Sequence, residues 1–132
     1  MQFDPILSTS FADCRHRLGD YLPRLVKADT ELLAIIHLGA RGEMIARRIS
    51  SGGAMASVIL PLRQLVCDAL NLGSLSILLA HNHPSGDATP SSSDINQTRA
   101  LCDILRPLGI ELEDHLVVTR GGVASMRSLK VI

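Results

Sequence analysis

The apolar positions along the chain follow two spacings, one typical of helices and one typical of buried strands. Near the N-terminus they recur at helical spacing, which predicts a helix over about residues 10–27, capped at Ser10 and disturbed near Pro23. Two further helices are predicted over residues 62–70, ending at Gly73, and over residues 92–106, ending at Pro107. Short apolar runs predict strands at residues 31–38, 43–50, 75–81 and 110–119, with a short final strand after Gly122.

This order of elements predicts one α/β domain, in which a mixed, curved β-sheet is flanked by α-helices. The first two strands are expected to form an antiparallel hairpin, because Ala40-Arg41-Gly42 between them is typical of a turn. No internal repeat or linker interrupts the pattern. The 132 residues have the length of a single domain spanning 1–132.

Composition narrows the possible partners. Aromatic residues make up only 2% of the chain against 46% apolar residues, so the core is expected to be aliphatic and few rings are free to stack on bases. The 13 basic and 13 acidic residues give a net charge of zero, which removes the electrostatic attraction on which nucleic-acid binding depends. Composition therefore does not support a nucleic-acid partner.

The N-terminus and the cysteines indicate a compartment. No basic leader with an apolar stretch is present, and no apolar run reaches the roughly 18 residues that span a bilayer, so we expect a soluble, cytoplasmic protein without a membrane partner. Cys14, Cys67 and Cys102 are far apart, which argues against disulfides or a thiolate zinc site. They are interpreted as small buried residues in helices, and a reactive thiol is the less favoured alternative.

The apolar N-terminal helix suggests a homodimer.

The candidate chemistry lies after the third predicted strand. His81 and His83 stand at positions i and i+2, so their imidazoles share one strand face, and Asp94 follows at the start of the next helix. Two imidazoles and a carboxylate leave the fourth position of a tetrahedral zinc ion to water, which is the arrangement of a catalytic site. The pair Ser91 and Asp94 also fits a capping box, which is a purely structural alternative.

These residues resemble the JAB/MPN (JAMM) metalloprotease superfamily, and within it the RadC-like branch. The superfamily motif is His-x-His, seven residues, Ser, two residues and Asp, and it is complete from His81 to Asp94. The phrases His81-Asn-His-Pro-Ser-Gly-Asp87 and Asp114-His115-Leu-Val-Val118 are similar to the RadC-like version. The resemblance covers about residues 30–126 and implies a JAB/MPN, cytidine deaminase-like fold.

The resemblance also implies roles for individual residues. One zinc ion per chain would be held by His81, His83 and Asp94, and the family's upstream glutamate aligns with Glu31, the expected general base. Ser91 would donate a hydrogen bond to the oxyanion. The implied reaction is hydrolysis of an amide or isopeptide bond in a protein or peptide substrate whose identity the sequence does not specify.

Several alternatives stay open beside this interpretation. Glu31 also fits a solvated strand end, and the whole domain also fits a non-enzymatic accessory or assembly module related to RadC proteins annotated in DNA repair. His37 is expected to be a structural or surface residue rather than a ligand, because about 20 Å of strand separates it from Glu31. Of the adjacent residues Asp114 and His115, only one can face the site, where it would support the metal ligands.

Overall fold

The computed structural model describes residues 11–51 and 59–132, and the side chains from residue 14 onward in the first of these ranges. The predicted cap at Ser10 lies outside them. The elements are α1 Phe11–Leu18, α2 Tyr21–Lys27, β1 Leu32–Leu38, β2 Met44–Ser51, α3 Leu62–Leu72, β3 Ser76–Asn82, α4 Ser92–Leu105, β4 Glu111–Thr119 and β5 Gly122–Ser125. A short 3-10 helix, Arg106–Leu108, follows α4.

The strands form one five-stranded mixed sheet in the order β2-β1-β3-β4-β5. The strand β1 pairs antiparallel with both β2 and β3, and β4 pairs antiparallel with β5. The strands β3 and β4 are parallel, so the chain must cross over between them, and α4 makes that crossover. The predicted fold class, an α/β domain with a mixed sheet flanked by helices, is confirmed.

Helices cover both faces of the sheet. One face packs against α1 and α2 through side chains that include Leu18, Leu25, Ile36 and Leu78. The other face packs against α3 and α4 through a second cluster that includes Leu65, Ile35, Leu79, Leu101 and Leu105. The buried apolar side chains are almost all aliphatic, as the composition predicts, and the second face is the one on which the candidate ligands lie.

A β-bulge in β4 changes which side chains reach that second face. Ile77 is opposite Leu112, but the next residue, Leu78, is opposite Asp114, so Glu113 is the extra residue. Leu112 packs in the cluster under α3 and α4, whereas Leu116 packs in the cluster under α1 and α2. An unbroken strand would place residues 112 and 116 on the same face, so the bulge has reversed the alternation between them.

The N-terminal helix differs from the prediction. It is two helices, and the break falls at Gly19, whose φ of 58° is left-handed and suits glycine. Pro23 lies in the first turn of α2, where a missing N–H breaks no helical hydrogen bond, so the predicted disturbance there is wrong. The apolar side chains Leu18, Leu22 and Leu25 pack within the domain's own core. The homodimer stays a prediction, without support from this face.

Three further expectations for the helices need correction. Cys67 is exposed and is therefore not a small core residue, while Cys14 is buried and Cys102 is partly buried. The helical spacing of the apolar residues predicts that Leu70 lies on the buried face of α3, but it is 55% exposed, and Leu65 and Ala69 are the buried residues of that helix. The helix α4 was predicted to end at Pro107, but the helical path continues from α4 through Pro107 into the 3-10 helix, which stops at Gly109. In the described ranges, no helix is long and apolar enough to cross a membrane.

Candidate metal centre

The C-terminal end of β3 brings the two predicted histidine ligands together. His81 is fully buried and lies opposite Leu33 of β1, on the face covered by α3 and α4. His83 directly follows the strand, and its backbone N–H donates to the carbonyl of Val118 at 3.0 Å. The Nε2 atoms of His81 and His83 lie 3.0 Å apart. The alternation of side chains along a strand thus produces the predicted pair.

Asp94 reaches this pair from the first turn of α4. Ser91 caps the helix, its Oγ accepting a hydrogen bond from the Asp94 N–H at 2.9 Å, and Asp94 Oδ2 accepts one from the Ser91 N–H at 2.9 Å. The same Oδ2 atom lies 3.3 Å from His81 Nε2 and 3.2 Å from His83 Nε2. The capping box therefore aims the carboxylate at the histidines, so the structural and the functional interpretation of Asp94 describe one geometry.

Hydrogen bonds behind His81 determine where its proton lies. Thr98 donates its only hydroxyl proton to the carbonyl of Asp94 at 2.6 Å, so its Oγ1 must accept from His115 Nδ1, which lies 2.8 Å away. The other nitrogen of neutral His115, Nε2, then accepts from His81 Nδ1 at 2.7 Å. His81 Nε2 is left with an unprotonated lone pair directed into the site.

His83 reaches the same state by a simpler route. Its Nδ1 donates to the carbonyl of Asp87 at 2.8 Å, so in the neutral ring its Nε2 also carries a lone pair. Two lone pairs and a carboxylate oxygen then face one another at 3.0–3.3 Å with no proton between the rings. Such a group repels itself unless a cation lies among its members. Ligands about 2.0–2.1 Å from a tetrahedral zinc ion are about 3.3 Å apart, so this donor set fits the ion.

Glu31 lies beside the three donors, immediately before β1. It is only 6% exposed, and its Oε1 is 3.6 Å from His83 Nε2. Its Oε2 is buried and has no hydrogen-bond partner in the described part of the chain. Burial raises the pKa of this carboxyl group, against the opposing effect of the two histidines. The predicted alternative of a solvated strand end is therefore wrong.

Two carboxylates compete for the third ligand position. Glu31, His81 and His83 have ligand atoms within 4.8 Å of one another and form a group that could hold a metal ion. Asp94 Oδ2, at 3.2 Å, is nearer to His83 Nε2 than Glu31 Oε1 is, at 3.6 Å. We therefore favour Asp94 as the ligand and Glu31 as the neighbouring base, because a base needs room for water between itself and the ion.

The charge state of the site follows from the same contacts. Burial acts to raise the pKa of Asp94, but positive charge at His81 and His83, which these rings carry when Nε2 is protonated, outweighs burial and keeps the pKa well below its usual range. Burial acts to lower the pKa of His83, and the neighbouring Asp94, the Asp87 carbonyl and Glu31 raise it overall. The pKa of His115 is far below its usual value, mainly because the ring is completely buried. A neutral His115 agrees with the hydrogen-bond pattern.

The remaining candidates are separated from this centre. His37 is buried at the other end of β1 and its Nδ1 lies 2.9 Å from Ser74 Oγ, so it is structural, as expected. Asp114 accepts hydrogen bonds from Ser125 Oγ and from the backbone N–H groups of His115 and Arg127, and in the described part of the chain it makes no hydrogen bond to His81 or His83. Ser91 is exposed at the helix cap, and its role as an oxyanion donor stays a prediction.

Thr98 and Asn82 belong to the surroundings of the site and were not singled out in the sequence. Thr98 lies one helical turn after Asp94, a spacing that places both on the same face of α4 and was the available signal. Asn82 points away from the histidines, and no sequence pattern distinguishes it.

For Asp114 and His115, the expectation that only one faces the site is confirmed, and that residue is His115.

Comparison with known proteins identifies the family. The family model for the RadC-like JAB domain matches residues 12–131. This chain belongs to the RadC-like JAB domain family. It is 40% identical over 104 residues to a UPF0758 protein of Clostridium novyi, which is 77% of this chain and 45% of that protein. It is 41% identical over 106 residues to a UPF0758 protein of Symbiobacterium thermophilum, 80% of this chain and 45% of that protein.

The RadC-like JAB domain thus spans less than half the length of these relatives. The matched family region contains all the residues of the candidate centre and every described element except the first residue of α1, Phe11. The name UPF0758 specifies no reaction, so the chemistry of this RadC-like JAB domain has to be argued from its site.

Proposed function

We propose that this RadC-like JAB domain is a zinc-dependent hydrolase of amide bonds, acting as a peptidase or isopeptidase. The observation that carries the proposal is the convergence of three possible ligand atoms, His81 Nε2, His83 Nε2 and Asp94 Oδ2, within 3.0–3.3 Å of one another. Three protein ligands leave a tetrahedral zinc ion one position for water, which distinguishes catalytic from structural zinc sites. When bound, the ion would lower the pKa of such a water to about 7 and polarise a carbonyl group.

The residues of the chain would divide the remaining work. Glu31 is buried, and no described residue forms a hydrogen bond with its Oε2, so it would accept the proton of the attacking water and later transfer it to the departing amine. Burial raises its pKa, which makes it a better base than an exposed glutamate. Ser91 Oγ already accepts a hydrogen bond from the Asp94 N–H, so its own proton is available to stabilise a tetrahedral oxyanion.

The first test is the metal content of tag-free protein, measured by elemental analysis. Wild type is expected to contain about one zinc ion per chain, and His81→Ala is expected to lose it, because two remaining donors hold zinc weakly. The control is His16→Ala, which removes an exposed histidine of α1. Protein that takes up no zinc, or that binds it equally well as His81→Ala, would contradict the proposal and favour an assembly module.

The second test concerns the reaction. Amide and isopeptide substrates are screened with wild type and with Glu31→Gln, which keeps the size of the side chain and removes the base. The variant is expected to keep its zinc and to lose turnover by about 100-fold or more. Turnover that survives in Glu31→Gln would contradict the role of Glu31 and leave the metal centre intact.

A further inference from the structure

Asn82 lies between the two histidines in sequence but points to the opposite face of β3. It is 2% exposed, and its side-chain amide is bonded entirely to the segment that joins α2 to β1. Its Oδ1 accepts from the Leu32 N–H at 2.6 Å. Its Nδ2 donates to the carbonyl of Thr30 at 3.0 Å and, more weakly, to that of Ala28 at 3.4 Å.

These bonds enclose Glu31. The backbone pairing of β1 with β3 begins at Leu33, opposite His81, so the residues before Leu33 are held to β3 by the Asn82 side chain. The carbonyl of Thr30 and the N–H of Leu32 are the peptide groups on either side of Glu31. Among the described residues, the buried Oε2 of Glu31 has no hydrogen-bond partner, and its Oε1 has only the 3.6 Å contact with His83 Nε2. The backbone on either side therefore contributes to fixing the position of the carboxylate.

We propose that Asn82 is a positioning residue that holds Glu31 against the metal centre. A primary amide presents one acceptor and two donors, which match the N–H and the two carbonyls of the segment. An aspartate at this position would offer acceptors alone, and an alanine would offer neither donors nor acceptors. The His81-Asn82-His83 segment therefore serves both faces of the sheet, with the histidines supplying ligands and the asparagine setting the distance between ligands and base. The catalytic part of this inference rests on the proposed function.

The structural part is tested by amide hydrogen exchange, which needs no substrate. Leu32 is expected to exchange about tenfold faster in Asn82→Ala, because one buried hydrogen bond is lost. In Asn82→Asp it is expected to exchange at the wild-type rate, because the acceptor remains. Asn96→Ala, which removes an exposed amide from α4, is the matched control and should change nothing. An unchanged Leu32 rate in Asn82→Ala would overturn the proposal.

The catalytic part is tested by steady-state kinetics on the zinc-loaded variants. For Asn82→Asp and Asn82→Ala, we expect kcat to fall about 10- to 100-fold while KM and zinc content stay at wild-type values, because the base is misplaced and the ligands are not. If Asn82→Ala does not fold, Asn82→Asp decides, since it lacks the donors to Thr30 and Ala28. Wild-type kcat in Asn82→Asp, beside an inactive Glu31→Gln, would overturn the role of Asn82 alone. An active Glu31→Gln would instead overturn the proposed base.

Discussion

A histidine ring can carry its proton on either nitrogen, and in this site a residue outside the proposed ligand set makes the choice. The chain of hydrogen bonds runs from Thr98 through His115 to His81, and each member has only one way to satisfy its neighbour. Its last link leaves His81 Nε2 free to bind a cation. Burial keeps the pKa of His115 low, which preserves the neutral ring that this chain requires.

Removing either supporting residue should weaken metal binding without touching a ligand. Thr98→Val keeps the shape of the side chain and removes the hydroxyl, and His115→Phe replaces the ring without its nitrogens. We expect zinc affinity, measured by competition with a chelator, to fall about 10- to 100-fold in both variants. His16→Phe, on the exposed surface of α1, is the control. Unchanged affinity in both variants would show that the tautomer of His81 does not depend on the hydrogen bonds from Thr98 through His115.

At the level of elements, the first turn of α4 performs two tasks with the same two residues. Ser91 and Asp94 exchange hydrogen bonds that cap the helix, and the Asp94 carboxylate also faces the histidines. Capping and catalysis make different demands on Ser91. A cap tolerates glycine almost as well as serine, whereas an oxyanion donor requires the hydroxyl group.

Three substitutions at Ser91 should separate the two tasks. Ser91→Ala should lower the free energy of unfolding by about 1 kcal/mol, and Ser91→Gly by only a few tenths. If the hydroxyl group stabilises the oxyanion, both variants lose turnover to a similar extent, whereas Ser91→Thr keeps it. Urea unfolding and kcat are the two measurements. A Ser91→Gly variant with wild-type kcat would leave Ser91 with the capping role alone.

The sequence predicted the proposed metal ligands, but it did not predict the role of Asn82 or the position of the break in the N-terminal helix. Strand alternation and the capping spacing predicted that His81, His83 and Asp94 converge, because both depend on residues close in sequence. Asn82 could not be assigned, since its partners Ala28, Thr30 and Leu32 lie about 50 residues away. The break falls at Gly19 because glycine adopts a left-handed φ of 58° without strain, whereas Pro23 in the first turn of α2 removes no helical hydrogen bond.

At the scale of the whole molecule, stability is expected to depend on pH through His37. This ring is 2% exposed and distant from the metal centre. Burial lowers its pKa below the usual 6.5, and Arg48 adds to this while Asp68 opposes it. The folded state therefore binds this proton less readily than the unfolded state. The contribution of His37 to stability is present above pH 6.5 and is lost as the pH falls through the lowered pKa of the folded protein.

The variant His37→Gln should reduce that dependence, because glutamine can still bond to Ser74 but does not titrate. Urea midpoints at about pH 8 and pH 5 should differ less in the variant than in wild type. The exposed His16→Gln should keep the wild-type difference. If His37→Gln and wild type lose stability equally on acidification, other groups account for the whole effect.

The extra residue in β4 has a consequence for how this protein can change over time. Because Glu113 reverses the alternation of β4, the ring of His115 rather than the carboxylate of Asp114 stands behind His81. A strand that kept Glu113 in regular alternation would turn the carboxylate of Asp114 toward the site, whereas loss of Glu113 would leave His115 behind His81, because Asp114 and His115 would keep their partners on β3. Changes that straighten the bulge without removing a residue should therefore disturb the site more than deletion of Glu113, and the register of β4 with β3 is itself a requirement of the site.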